Sequence, residues 1–141
     1  MVCREIVVRG SACFLLLQGV TDIMRDETLP DIALHLFRKE KRNCAEAVIE
    51  AWQMVSGHHH ELADQMRQCG SGEAPQGVCG AFYAAQIVSD KDAGAKFFSM
   101  FANAAGSILC REIRSAKKIS CSACVKLAAT FLEEALHEAT A

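Results

Sequence analysis

Proline is scarce in this chain, with two residues in 141, and tryptophan and tyrosine occur once each. The shortage of proline argues against a proline-rich linker and leaves room for uninterrupted helices. Apart from "REIVVR" near the start, no run of β-branched residues alternates with polar ones, so a β-architecture has no support. No apolar run approaches the length needed to cross a bilayer, which argues against a membrane span. Charge is nearly balanced, with a net value of -2 and no block of one sign, so nucleic acid is not an expected partner. The glycine-rich "CGSGEAPQG" lacks the lysine and hydroxyl of a phosphate loop and follows no strand, so no nucleotide is expected. No paired acid and base or Ser–His–Asp set is visible, and no defined substrate is implied.

Cysteine is abundant by contrast: eight residues, at 3, 13, 44, 69, 79, 110, 121 and 124. A disulfide-stapled secreted scaffold is usually shorter and less helical than this alanine-rich chain, about half of which is apolar (51%). In a reducing compartment, many cysteines point to metal binding or redox chemistry. Cytoplasmic residence is therefore the expectation. The alternative is export, because "MVCREIVVRGSACFLLLQGVTD" has basic residues before a short apolar run. Residues 1–28 are read as an N-terminal arm, with Met24 as another candidate start, and 29–141 as one helical, cysteine-rich domain.

Periodicity and punctuation predict an all-α, single-domain bundle of four to six helices. The first starts near Pro30 after Thr28 or Leu29, carries Ile32, Leu36 and Phe37, and ends in the solvated patch "RKEKR". "NCAE" reads as a capping box, with Asn43 as N-cap and Glu46 reaching back. Val48, Trp52 and Val55 continue that face until Gly57 stops it. "HHHELADQMRQC" is a short helix candidate. After the loop through Pro75 and Gly77, a helix runs from about Val78 to Ser89. Asp92 to about Ser115 forms one long helix, or two with a break near Gly106, anchored by Phe97, Phe98, Phe101, Ile108 and Leu109. Ser120 caps the last helix, whose stripe is Cys121, Cys124, Ala128, Phe131, Leu132 and Ala135.

Cys44, Cys79 and Cys121 thus fall at helix N-termini, where free N–H groups and the macrodipole stabilise a thiolate. Cys110 is read as lying late in a helix, with Gly106 one turn earlier leaving room for a neighbour. Cys121-Ser-Ala-Cys124 is a CxxC pair at a helix start, as in disulfide oxidoreductases, but no βαβ pattern surrounds it. Residue 125 is valine, so "CSACV" is no c-type haem site. Each cysteine also lies on an apolar stripe, where a plain core cysteine would lie. Arg111 is a candidate partner for a thiolate. In "GHHHE" His60 is the histidine that could face the bundle, while His35 and His137 are expected at the surface.

"NCAEAV", "GVCGAFYAA", "ILCREI" and "ISCSACVKLAATFLEE" together resemble the redox-active proteins named for a C_GCAxxG_C_C pattern. The resemblance runs from about Leu29 to Leu136. It implies that Cys44, Cys79, Cys110 and Cys121 are the family's four cysteines, with Gly80 and Ala81 in the CGA element. Ala84 or Ala85 stands where the family has its next glycine, and Cys69 and Cys124 look like additions. Similar domains occur in split-Soret cytochromes, which implies an iron–sulfur site; without CxxCH, the haem half has no counterpart here.

Three functions follow as expectations. The first is an iron–sulfur cluster, or zinc, held by Cys44, Cys79, Cys110 and Cys121, with Cys69 or Cys124 as alternates, for electron transfer or redox sensing with a partner protein. The second is metal-free thiol–disulfide chemistry at Cys121 and Cys124, with Cys44 or Cys79 as resolving thiol. The third is a helical interaction module with structural cysteines. A homodimer is compatible with each.

Overall fold

The computed structural model describes residues 27–57 and 62–140, without the side chains of 139 and 140. The N-terminal arm with its "REIVVR" run, Cys3 and Cys13, and the histidines of "GHHHE" including His60 lie outside the described residues. The described chain is all-α. Its helices are α1 (Leu29–Arg38), α2 (Cys44–Ser56), α3 (Leu62–Met66), α4 (Gly80–Val88), α5 (Lys91–Ala105), α6 (Cys110–Ala116) and α7 (Cys121–Thr140), with a 3₁₀ turn at Pro75–Gly77. Seven helices exceed the expected four to six, because the long segment after Asp92 is divided in two and α3 is only one turn long. No helix among the described residues is long and apolar enough to cross a membrane.

The helix starts follow local chemistry. Thr28 accepts from the Asp31 N–H while the Asp31 carboxylate takes the Thr28 N–H and hydroxyl, closing a capping box ahead of Pro30. Asn43 Oδ1 accepts from the Glu46 N–H at 2.8 Å. The return half of this cap differs from a standard box: Glu46 Oε1 takes its bond from Asn43 Nδ2, at 2.9 Å. The same amide also donates to the carbonyls of Met66 and Arg67, tying the start of α2 to the end of α3. Asp90 and Ser120 cap α5 and α7 through the N–H groups of Ala93 and Ala123. Gly57 and Gly106 end α2 and α5 in the left-handed conformation.

Helix α2 is central, packing against α1, α3, α4 and α7, while α1 lies along α7 and α4 along α2 and α7. Ala45, Ala47, Val48, Ile49 and Ala51 are buried, so small side chains let neighbours approach on a wide arc of α2. Val55 was expected on this face but is 46% exposed, because the buried arc runs through the alanines instead. Phe82, Phe97, Phe101 and Phe131 form an aromatic cluster where α4, α5 and α7 meet, with Phe97 stacked on Phe131 at 4.4 Å between centroids. Phe98 is not a full core anchor: it is 46% exposed, one residue round the helix from Phe97. Gln86 Nε2 donates to the Gly94 carbonyl at 2.8 Å and fastens α4 to α5. The basic patch is solvated as expected, with Arg42 bonded to Glu50.

Candidate functional site

Four helices begin at a cysteine or directly after one. Cys44, Cys110 and Cys121 are the first residues of α2, α6 and α7, and Cys79 is the N-cap of α4. The placement of Cys110 corrects the sequence reading. Gly106 adopts φ +87 and terminates α5, and the chain then runs extended to Leu109 before a new helix opens. Gly106 therefore acts as a helix stop and makes no room for a neighbour; a Cβ there would meet only Lys118, at ordinary contact distance.

The loop between α3 and α4 is fixed by long-range bonds. Val78 forms an isolated antiparallel bridge with Leu109, and the Cys79 N–H donates to the Ile108 carbonyl at 2.7 Å. This pairing sets Cys79 beside the start of α6 and so beside Cys110. Gly80 lets α4 press onto α2: a Cβ on it would stand 2.6 Å from Cys44 Sγ and 2.6 Å from the Cys69 carbonyl oxygen. Gly72, at φ +86, lies against Cys110.

The result is one partly enclosed cavity of about 110 Å³ lined by Cys44, Cys79, Cys110, Cys121 and Cys124, with Phe37, Asn43, Ser71 and Arg114 completing the wall. The four cysteines singled out by the sequence are brought together, and Cys124 joins them. Cys69 does not line the cavity; its thiol faces the Gln65 carbonyl at 3.6 Å, at the end of α3. Cys121 sits on the exposed edge of its helix, so the buried stripe of α7 begins at Cys124. All six described cysteines are free thiols.

The sulfurs receive backbone donors. The N–H groups of Ser71 and Ala81 are directed at Cys44, and those of Phe82 and Ala81 at Cys79. Cys124 donates its S–H to Cys79, and this bond is the main reason the Cys79 thiol falls to about 7 against the pull of burial. The same bond, with burial and the neighbouring sulfurs, pushes the Cys124 thiol far up and holds it protonated. Burial raises Cys44 and Cys110, although Arg114 draws Cys110 the other way.

Arg114 is the basic residue of the site. Its own pKa is raised, first by the charge of Cys110 and then by a hydrogen bond to Cys121. The sequence pointed to Arg111 instead, which lies outside the chamber on the same helix. The signal was available: Arg114 is four residues after Cys110, one helical turn away on the same face. Phe37 was read only as core, and it also closes the chamber from the α1 side.

No group of three or more His, Cys, Asp or Glu among the described residues is arranged to hold a metal ion. The donor set itself, five soft sulfurs around one cavity, suits a thiolate-ligated group. Compared with known proteins, the chain matches no family model, no curated protein and no solved structure.

Proposed function

We propose that the chamber binds an iron–sulfur cluster through Cys44, Cys79, Cys110 and Cys121, and that the protein uses it in electron transfer or redox sensing with a partner protein. The observation that carries this reading is the convergence of five thiols, from four helix starts distant in sequence, on a single cavity. A bound cluster would supply one-electron chemistry. The chain's own residues do the rest. The amides of Ser71, Ala81 and Phe82 are aimed at Cys44 and Cys79, and donors to ligand sulfurs are among the levers that set a cluster's potential. Arg114 offsets the negative charge that gathered thiolates would carry. Phe37 and the packed helix starts cover Cys79, Cys110 and Cys124, while Cys121 stays open to solvent.

A cluster suits the arrangement better than one zinc ion. Zinc draws four ligands tightly round a single centre, at about 2.3 Å for sulfur. No such grouping is present among the described residues, so the reading rests on the shared cavity and its soft donor set, which would suit a cluster. The family resemblance of the cysteine pattern favours the same reading, as does a reducing compartment such as the cytoplasm, which keeps the thiols available.

Anaerobic purification followed by iron and labile-sulfide analysis and an absorption spectrum tests it. Stoichiometric iron and sulfide are expected, lost when Cys44, Cys79, Cys110 or Cys121 becomes serine and retained in Cys69→Ser. Iron below one equivalent in anaerobic protein would sink the reading.

One observation favours a second reading, metal-free thiol–disulfide chemistry. Cys124 is hydrogen-bonded to Cys79, which has the lowered thiol pKa. The reactive pair on this reading is therefore Cys79 with Cys124, and Cys121 is the solvent-facing third thiol. A free-thiol count that drops by two on mild oxidation, with the bridge mapped to those residues, supports it; an unchanged count counts against it.

A further inference from the structure

A second, larger pocket of about 520 Å³ lies on the outer side of the thiol chamber. Cys110, Arg114 and Ser71 line both spaces, so they form the wall between them. Cys110 is the only cysteine among the described residues that faces both. The outer pocket is also lined by Arg111, and its floor is the glycine-rich loop at Gly72 and Gly77. Neither Arg111 nor Arg114 is paired with a carboxylate among the described residues. Glu112, the acid nearest in sequence, is turned to the Ser107 hydroxyl. The chain as a whole is slightly acidic, so this is a local concentration of positive charge without a carboxylate partner at a concave site.

We propose that this outer pocket binds a carboxylate-bearing low-molecular-weight disulfide and presents its sulfurs to Cys110. Three features fix the ligand class. The two guanidiniums select anions, and guanidinium forks match carboxylates. The volume lies in the range that holds a small organic molecule. The one reactive group at the inner wall is a thiol, and a disulfide is the electrophile a thiolate attacks.

The exchange is balanced within these two molecules. Cys110 loses its proton to solvent, and its sulfur attacks one sulfur of the bound disulfide. The S–S bond of the ligand breaks as the new one forms. The departing thiolate takes up a proton and leaves reduced, and Cys110 is left in a mixed disulfide. The exchange belongs to the metal-free protein, in which Cys110 holds no iron, and it is tested there, so its failure is distinct from failure of the cluster reading.

The full chain, reduced and stripped of metal, with helicity checked by circular dichroism, is exposed to dithiodipropionate, hydroxyethyl disulfide and cystamine. These probes are anionic, neutral and cationic. Mass spectrometry follows the adduct and its position. The anionic probe is expected to modify Cys110 about tenfold faster than the neutral one, with the cationic probe slowest. In Arg111→Gln/Arg114→Gln the ratio of the anionic to the neutral rate falls to about one, a ratio that cancels any change in the Cys110 thiol itself. Equal rates for the three probes, or first modification at another cysteine, overturn the proposal. A second measurement uses protein as purified: S-methylglutathione, which cannot exchange, should slow phenylglyoxal modification of Arg111 and Arg114 by at least about threefold, on the same electrostatic grounds. No protection there also overturns it.

Discussion

The sulfur of Cys44 rests against the bare Cα of Gly80, so close that a methyl group at Gly80 would stand 2.6 Å from it. The contact joins the starts of α2 and α4 and leaves no room for a side chain, since the Cys69 carbonyl oxygen would stand at the same 2.6 Å from that methyl group. Gly80→Ala should therefore cost about 1–3 kcal/mol through overpacking. It should also lower iron and sulfide content by shifting Cys44. Urea unfolding and metal analysis on the same preparation check both effects; a variant with wild-type stability would show that the helices slide apart freely.

The Cys79–Cys124 bond has a pH signature. In reduced, metal-free protein the Cys79 thiol ionises at about 7, below the ordinary thiol range. A depressed folded pKa contributes stability that is full above the ordinary range and fades as pH falls towards 7. Cys124 runs the other way: it is held protonated, so its contribution is full below the ordinary range and is lost as pH rises above it. Stability from this pair should rise with pH from about 7 and peak near the ordinary thiol value, about 8.5, where the two limbs meet. Cys124→Ala removes the donor, so the Cys79 titration, followed by ultraviolet thiolate absorbance, should move up and the acid limb should flatten. A titration still centred near 7 would assign the shift to the Phe82 and Ala81 amides.

Asn43 serves two roles with one side chain. Its oxygen caps α2, and its nitrogen donates to Met66, Arg67 and Glu46. Asn43→Ala should cost about 2 kcal/mol, the upper part of the range for a lost cap, because two carbonyls lose a donor as well. Asn43→Asp restores the cap acceptor but sets a carboxylate against those carbonyls and Glu46, so it should be no more stable than alanine. Full recovery in the aspartate variant, read from denaturant midpoints, would make the cap the whole effect.

Phe97 and Phe98 are neighbours with different roles. Phe97 is fully buried between Phe82 and Phe131, and Phe98 is nearly half exposed. Phe97→Ala should cost about 3–5 kcal/mol and Phe98→Ala no more than a third of that, as judged by thermal and urea unfolding. Equal losses would mean that Phe98 is covered in solution.

The helix boundaries could be read from residues a few positions apart. Thr28 with Pro30, Asn43 with Glu46, Gly57 and Ser120 each act within one turn, and each stands where the sequence placed it. The position of Cys110 was misread because apolar spacing continues across Gly106 through Ile108 and Leu109. A left-handed glycine that stops a helix and a tolerated glycine inside one look alike in a sequence. Arg114 was passed over for Arg111 because adjacency was given more weight than the turn of the helix.

The sequence by itself determined the all-α class, the caps, and the concentration of thiols at helix starts, since propensity, capping and periodicity are local interactions. Only the tertiary structure decided that Cys44, Cys79, Cys110, Cys121 and Cys124 face one cavity while Cys69 faces away. That outcome depends on how α2, α4, α6 and α7 cross, on the Val78–Leu109 bridge, and on the approach that Gly80 permits. These contacts join residues remote in the chain, and close packing of several surfaces at once sets their geometry.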